Sequence, residues 1–191
     1  MKPCSALFIG GSAGSLEVLL KILPNLKANL TFPIILILHR KQGADYLLGD
    51  LLRTKTLLTV QEIEEKNKIE VGNIYIAPTD YHLLIERDRS FSLDYSEKVN
   101  YSRPSIDVTF ASAAEIYKNK LVCLLLSGSN ADGVNGLKIV KKFNGHTLAQ
   151  NPEEASVAYM PKTAIEQNTI DIVLNVSDIA NYINQLNPQN G

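Results

Sequence analysis

The chain has 191 residues, of which 45% are hydrophobic and 20% are charged, and its formal net charge is −1. This length suits one domain with a sizeable core, and the near-neutral charge provides no field that would recruit nucleic acid or an anionic membrane. No apolar run is long enough for a membrane span or a signal peptide, and two cysteines are too few for a disulfide framework. We therefore expect a cytoplasmic protein with no nucleic-acid partner and no direct membrane insertion.

The first part of the chain alternates apolar runs of strand length with helical patterns. Residues 6–9 and 33–38 are continuous apolar runs, which are typical of strands covered on both faces of a parallel sheet. Leucines recur at helical spacing from residue 16 until Pro24 ends the helix, and residues 45–53 show the pattern of a second helix. These segments predict the opening of an α/β fold.

The rest of the chain adds a different middle section and then returns to the same alternation. Four short segments within residues 60–95, separated by turn residues, predict hairpin-like antiparallel strands. Ser105 is a suitable N-cap for a helix over residues 105–118, and residues 121–126 form the clearest buried strand. Further helices are predicted over residues 134–143, 155–167 and 177–186, and further strands over 146–149 and 170–174.

Taken together, these elements predict an α/β fold in a single domain over residues 1–191, with residues 187–191 as a loose tail. The predicted sheet is mainly parallel and doubly wound, is flanked by helices, and carries an antiparallel hairpin portion at one edge.

Three polar side chains follow three of the predicted buried strands. Ser12 follows the first strand, His39 follows the second at once, and Asp132 lies in the loop after residues 121–126. The carboxyl ends of parallel strands lie on one rim of a sheet, where ligands bind in such folds. A histidine can take the proton of a serine hydroxyl while a carboxylate orients the imidazole, so the sequence indicates a catalytic triad.

The surroundings of Ser12 are consistent with a nucleophile. Gly10-x-Ser12-x-Gly14 has the spacing of a nucleophile elbow, and the helix behind it offers backbone N–H groups to an oxyanion. The chain order serine, histidine, aspartate differs from that of α/β-hydrolases, which favours another scaffold. Each feature alone has a simpler interpretation: a phosphate-binding or tight turn, a structural histidine, or an aspartate that caps a helix.

The same residues carry a family resemblance that runs from about Leu7 to Ile183. The chain resembles the catalytic domain of the CheB family, the protein-glutamate methylesterases of chemotaxis. The similar blocks are Gly10 to Ser15, Leu38-His39-Arg40, Ile76 to His82, Arg103 to Val108, Leu126 to Gly133, Ala149-Gln150-Asn151 and Met160-Pro161.

The resemblance implies an activity as well as a fold. The family hydrolyses γ-glutamyl methyl esters on the cytoplasmic helices of chemoreceptors and releases methanol, and some members deamidate glutamine. Its serine, histidine and aspartate correspond to Ser12, His39 and Asp132. No cofactor and no metal is implied, and no zinc-binding spacing is present in the chain.

The chain also departs from the family pattern. Ala13 replaces a threonine whose hydroxyl helps the oxyanion hole in the family, so this side-chain donor is lost. Ser129 replaces a methionine whose backbone N–H faces the oxyanion, and a backbone donor survives the substitution. Arg103 has two interpretations: it contacts an acidic substrate helix at the rim of the site, or it pairs with Asp107 or caps a carbonyl. The chain begins shortly before its first strand, so we expect a stand-alone domain without the receiver domain that regulates the chemotaxis enzyme.

Two other functions stay open at this stage. One is a binding or scaffold module that keeps the methylesterase fold while Ala13 and Ser129 weaken its chemistry. The other is a nucleotide or phosphate binder that uses the turn from Gly10 to Ser15, although the dinucleotide and phosphate-loop fingerprints are missing there.

Overall fold

The computed structural model describes residues 4–40 and 45–187. Its strands are β1 (Ala6–Gly11), β2 (Ile34–Leu38), β3 (Thr59–Glu62), β4 (Asn73–Ile76), β5 (His82–Ile85), β6 (Phe91–Asp94), β7 (Leu121–Leu125), β8 (His146–Gln150) and β9 (Ile172–Leu174). Its α-helices are α1 (Ser15–Ile22), α2 (Asp45–Arg53), α3 (Ile106–Tyr117), α4 (Val134–Lys142), α5 (Tyr159–Glu166) and α6 (Val176–Gln185).

Seven strands form a parallel sheet in the order β3-β4-β2-β1-β7-β8-β9. The strands β5 and β6 pair antiparallel in a separate two-stranded sheet. The predicted α/β fold with a mainly parallel sheet is therefore confirmed. Continuous apolar runs correctly predicted parallel strands, because both faces of this sheet are covered and both sets of side chains are apolar.

Helices cover the sheet on both faces, and alternate residues of each strand point to opposite layers. In β1, Leu7 and Ile9 belong to the core cluster under α1, α2 and α6. Ala6 and Phe8 belong to the cluster under α3, α4, α5 and the β5–β6 hairpin. Each strand therefore contributes to two apolar layers, which is the doubly wound arrangement.

The sequence-based prediction for the middle section was only partly correct. The hairpin β5–β6 is antiparallel as predicted, but β3 and β4 are parallel strands at the edge of the main sheet. The connection between them returns the chain to the same end of the sheet instead of making a tight turn. On its way it pairs with the hairpin, where Asn67 O accepts from Phe91 N at 2.9 Å and Ile69 N donates to Arg89 O at 3.0 Å.

The end of the described chain is attached to the body of the molecule. Asn187 Oδ1 accepts from the backbone N and the Oγ1 of Thr31, each at 2.7 Å, and its Nδ2 donates to Asn29 O at 2.9 Å. The predicted tail therefore begins no earlier than residue 188, and residues 188–191 lie outside the described residues. Within residues 4–40 and 45–187, no helix has the length and apolar character needed to cross a membrane.

The sheet has one point at which the order of the strands reverses. From β1 the sheet extends through β2, β4 and β3 on one side, and through β7, β8 and β9 on the other. Loops from the carboxyl ends of β1 and β7 diverge there and leave a crevice, which is the usual ligand site in such sheets.

Candidate active site

Ser12 lies at the end of β1, in a tight turn that leads directly into α1. Its backbone N donates to Ser127 O at 2.9 Å, and its carbonyl accepts from Ser15 N at 3.1 Å. Gly14 follows in the left-handed region with φ +84°, where a Cβ would lie 2.7 Å from the Cβ of Ser156. The turn therefore requires glycine at position 14, and it leaves Ser12 partly exposed at the crevice.

His39 continues the pairing of β2 with β1 by one step beyond the strands. Its backbone N donates to Gly11 O at 3.0 Å, so it lies on the strand next to Ser12. The Nε2 of its imidazole is 2.8 Å from Asp132 Oδ2, and the two side chains are 13% and 0% exposed. A carboxylate accepts only, so Nε2 carries the proton and Nδ1 keeps a lone pair.

Asp132 is held at the amino end of α3, where the backbone N–H groups have no acceptor within the helix. It accepts hydrogen bonds from Ser105 Oγ at 2.9 Å, Ile106 N at 2.7 Å and Asp107 N at 3.0 Å. Burial raises the pKa of Asp132, but the bonds from His39 and from the helix N–H groups outweigh it, so the pKa lies below its ordinary value. The carboxylate is therefore ionised at neutral pH and can stabilise an imidazolium.

Two residues support this carboxylate, and the sequence identified only part of their role. Ser105 was predicted as the N-cap of α3, and it does accept from Val108 N at 3.4 Å while it donates to Asp132. His82, 1% exposed, accepts from Ser105 N at 3.1 Å through Nδ1, and its Nε2 donates to Glu97 O at 2.9 Å. His82 thus fixes the start of α3 and has no nitrogen left for a substrate.

The loop after β7 passes directly beside Ser12. A Cβ at Gly128 would lie 3.1 Å from the Cβ of Ser12 and 2.5 Å from the Cε of Met160, which is fully buried. Ser129 follows Gly128 directly in the chain. Among the described residues, no acceptor pairs with the backbone N–H of Ala13 or of Ser129. Unpaired N–H groups are the kind of donor that an oxyanion hole requires.

Arg103 lies at the rim of the site and is occupied by its own loop. It lines a cavity of about 350 Å³ together with His39, Arg40, Asp80, Lys98, Tyr101 and Ser102. Its Nη1 donates to the carbonyls of Tyr95 at 3.2 Å and Ser96 at 2.6 Å. Of the two predicted roles, carbonyl capping is therefore present, and no ion pair with Asp107 is found among the described residues.

The nitrogen of His39 that would act as base is contacted by the hydroxyl of Ser102, with Oγ 3.5 Å from Nδ1. In the described part of the chain, no hydrogen bond joins Ser12 Oγ to His39. Catalytic hydrogen bonds are often long before the substrate binds, so this does not argue against Ser12. Ser102 was missed from the sequence because it lies in a polar loop without a recognisable motif.

The fold and the site together define a class of protein. A serine on a tight strand-to-helix turn, beside a buried histidine–aspartate pair on a parallel α/β sheet, is typical of hydrolases that use a serine nucleophile. No group of three or more histidine, cysteine, aspartate or glutamate side chains in residues 4–40 and 45–187 is arranged to hold a metal ion.

Comparison with known proteins specifies the family. The sequence profile of the CheB methylesterases matches residues 7–183. The crystal structure of the Thermotoga maritima CheB methylesterase catalytic domain is similar with a TM-score of 0.92 and 36% identity, over 96% of this chain and 98% of that one. The chain belongs to the CheB methylesterase family, which confirms the resemblance seen in the sequence.

Two relatives differ in the share of their length that this chain matches. A protein of Leptospira interrogans, provisionally named protein-glutamate methylesterase/protein-glutamine glutaminase, is 40% identical over 185 residues, covering 97% of this chain and 96% of that one. The Thermotoga maritima protein with the same two activities in its name is 38% identical over 169 residues. The match covers 87% of this chain but only 49% of that relative.

Proposed function

We propose that this protein hydrolyses γ-glutamyl methyl esters on a protein substrate, with Ser12 as nucleophile, His39 as general base and then acid, and Asp132 as the group that orients His39. The observation that carries the proposal is the fully buried Asp132, bound to Nε2 of His39 at 2.8 Å at the point where the strand order reverses. Nδ1 of His39 then keeps a lone pair that can accept the proton of Ser12, at the end of the neighbouring strand.

The first half of the reaction forms an acyl-enzyme. Nδ1 of His39 takes the proton of Ser12 Oγ while the oxygen attacks the ester carbonyl, and Asp132 stabilises the imidazolium. The N–H groups of Ala13 and Ser129 donate to the oxyanion of the tetrahedral intermediate. The C–O bond to the methoxy group then breaks, and methanol leaves with the proton that His39 returns.

The second half releases the product. A water molecule gives a proton to Nδ1 of His39 and attacks the acyl carbon. In the collapse of the new tetrahedral intermediate, the bond from the acyl carbon to Ser12 Oγ breaks, His39 returns the proton to Oγ, and glutamate is released. The same steps with a glutamine side chain release ammonia, which corresponds to the glutaminase activity in the names of the relatives. The donors that we assign to Ala13 and Ser129 are backbone groups and do not depend on the side chain, whereas the hydroxyl of a threonine at position 13 is absent.

The substrate we propose is a methylated helix of a chemoreceptor or a similar protein in the cytoplasm. The names of the relatives support a protein-bound glutamyl ester. Among the described residues, the cavity beside His39 is lined by Arg40, Lys98 and Arg103 and by one acid, Asp80, so it favours a substrate with further carboxylates near the ester. The chain belongs to a methylesterase family and has Ser12, His39 and Asp132, so a scaffold that has lost its chemistry is not favoured.

Methanol release from methylated receptor cytoplasmic fragments tests the proposal. The wild type is expected to release methanol, and Ser12→Ala to lose at least about 10³-fold in rate because the nucleophile is gone. Ser177→Ala, an exposed serine in α6, is the matched control and should keep the wild-type rate. A wild type that releases no methanol, or a Ser12→Ala protein that still does, would contradict the proposal.

A further inference from the structure

A strained hairpin turn projects Ser102 toward His39. Val99 and Ser102 exchange two backbone hydrogen bonds, at 3.2 and 2.9 Å, and the two central residues Asn100 and Tyr101 have φ values of 49° and 62°. Such a turn favours asparagine and glycine, and an aromatic residue in the left-handed region is unusual. A costly backbone conformation next to a reactive histidine is a reason to look for a role of the turn in the site.

The turn is tied to the helix that holds the catalytic carboxylate. Asn100 Nδ2 donates to Asp107 Oδ2 at 3.1 Å, and Asp107 lies in the first turn of α3. The backbone N–H of Asp107 donates to Asp132 at 3.0 Å. The position of Ser102 is therefore fixed relative to Asp132, and through Asp132 relative to the imidazole of His39.

The hydroxyl of Ser102 has two acceptors within reach. Its Oγ lies 3.5 Å from Nδ1 of His39 and 3.4 Å from the carbonyl of Asn100. Because Nε2 donates to Asp132, Nδ1 carries the lone pair and can accept the proton of Ser102. Both distances are long for an O–H donor, so neither bond is strong and a substrate or Ser12 can displace the hydroxyl at little cost.

We propose that Ser102 is a positioning residue whose hydroxyl is the resting partner of His39 Nδ1 and competes there with Ser12. This inference rests on the proposed function, because it assumes that Nδ1 is the basic nitrogen. A donor to that lone pair stabilises the neutral imidazole over the imidazolium. Because the hydroxyl of Ser102 binds the lone pair that Ser12 needs, it lowers the fraction of neutral His39 that is available to Ser12.

Other charged groups near His39 stay the same when Ser102 is changed. Asp132 binds its Nε2, and Arg40, Asp80, Lys98 and Arg103 line the cavity beside it. None of these side chains is bound to Ser102 Oγ. A change in pH dependence after removal of the hydroxyl can therefore be assigned to the hydroxyl itself.

The first test is the pH profile of kcat/KM for a glutamyl methyl ester substrate. Ser102→Ala is expected to raise the alkaline plateau about twofold and to leave the acid limb unchanged, so that the midpoint of the profile moves by about 0.3 pH unit to higher pH, the effect of one weak hydrogen bond. The two profiles should therefore coincide at low pH and separate toward the plateau. Ser102→Thr retains a hydroxyl and should follow the wild type, as should Ser96→Ala, whose hydroxyl binds Asp94 instead.

A uniform fall at all pH values in Ser102→Ala would mean a structural role only, and a Ser102→Thr profile like that of Ser102→Ala would rule out the hydroxyl. Either result overturns the proposal, as does an unchanged profile.

The second test does not depend on the reaction. In a Ser12→Ala background, which removes the competing hydroxyl, the 15N resonance of His39 Nδ1 is compared with and without Ser102→Ala. The resonance should move toward that of an imidazole nitrogen without a hydrogen bond, and should stay in place with Ser102→Thr. An unmoved resonance overturns this inference even if the protein is an esterase. A moved resonance supports it even if the esterase assay fails.

Discussion

The molecule contains two histidine–aspartate pairs, one at each end of the parallel sheet. His39 and Asp132 meet at the carboxyl ends of the strands, with 2.8 Å between Nε2 and Oδ2. His146, the first residue of β8, lies 3.2 Å through its Nδ1 from Oδ2 of Asp171, which precedes β9. The residue types are the same, so the difference in their surroundings shows what makes such a pair a candidate active site.

The second pair has no free nitrogen. His146 Nε2 lies 2.6 Å from the hydroxyl of Tyr182 in α6, and the two rings stack with an interplanar angle of 30°. Asp171 also accepts from Lys141 Nζ at 2.8 Å and from Thr147 N at 3.0 Å. The cluster of Lys141, His146, Thr147, Asp171 and Tyr182 therefore joins α4, β8 and α6, and its bonds are used for stability.

The first pair has the opposite distribution of bonds. Asp132 is fully buried and bound by helix N–H groups, while the hydrogen bond found for Nδ1 of His39 among residues 4–40 and 45–187 is the long contact to Ser102 at 3.5 Å. The carboxylate is thus rigid and the outer nitrogen is available. A free basic nitrogen beside a nucleophile, on the carboxyl rim of the sheet, distinguishes a candidate site from a structural contact.

The largest effect is expected from the paired substitutions His39→Ala and His146→Ala. His39→Ala should lower kcat at least about 10⁴-fold because the proton acceptor is lost. His146→Ala should leave kcat near the wild-type value and lower the free energy of unfolding by about 1–3 kcal/mol, since its bonds to the partly exposed Asp171 and Tyr182 are both lost. Steady-state kinetics and urea unfolding of both variants measure this, and equal losses of kcat would invalidate the distinction between the pairs.

Substitution of the two aspartates should show the same contrast, with a smaller effect on kcat. Asp132→Asn is expected to lower kcat by about 10³- to 10⁴-fold, because an amide no longer fixes the imidazole tautomer or stabilises its charged form. Asp171→Asn keeps the shape at the other end of the sheet and should retain kcat. Kinetics on both proteins, with circular dichroism to check folding, would count against the proposed triad if Asp132→Asn remained active.

Much of this contrast could be predicted from the sequence, because it depends on the strand ends. Ser12, His39 and Asp132 each follow a continuous apolar run, and such runs give both the strands and their buried ends. His146 begins a strand instead of following one, and such a position predicts a surface or packing residue.

The remaining features depend on contacts that are distant in sequence. The parallel pairing of β3 and β4 requires the connection to pass the hairpin, and a pattern of short strands does not distinguish that path from a tight turn. Ser102 acquires its neighbour 63 positions away through a turn with unusual φ values, which no local pattern indicates. From the sequence, hydrogen bonds from Arg103 to carbonyls were one of the interpretations, and no local pattern distinguished it from the other ones.

Stability should depend on pH through both aspartates. At Asp171, burial raises the pKa, but the bonds from Lys141 and Thr147 outweigh it and bring the pKa to about 2; the pKa of Asp132 is also lowered. A carboxyl with a lowered pKa in the folded state stabilises the fold above its unfolded value, and this contribution is lost as the pH falls through the folded value. The free energy of unfolding should therefore decrease from about pH 5 toward pH 2.

Urea unfolding at several pH values measures this decrease, and Asp171→Asn should make the dependence on pH less steep than in the wild type. The same slope in both proteins would show that Asp171 is not held in its charged form by this cluster.

The smallest effect is expected from Tyr182→Phe. The substitution removes one hydroxyl that bonds to His146 and leaves the ring in place, so the free energy of unfolding should fall by about 1 kcal/mol. Activity should not change, because the cluster is at the end of the sheet away from Ser12. Thermal unfolding and steady-state kinetics check both parts, and a changed kcat would connect the two ends of the sheet in a way that this account does not allow.

The most direct test of the central claim is to trap the acyl-enzyme. A glutamyl peptide with an activated ester makes acylation fast relative to deacylation, and rapid acid quenching followed by peptide mapping locates the acyl group by mass. The account predicts that the added mass is on the peptide containing Ser12, and that it is absent from Ser12→Ala. Acylation of the peptide containing Ser102, whose hydroxyl contacts the base, would contradict it.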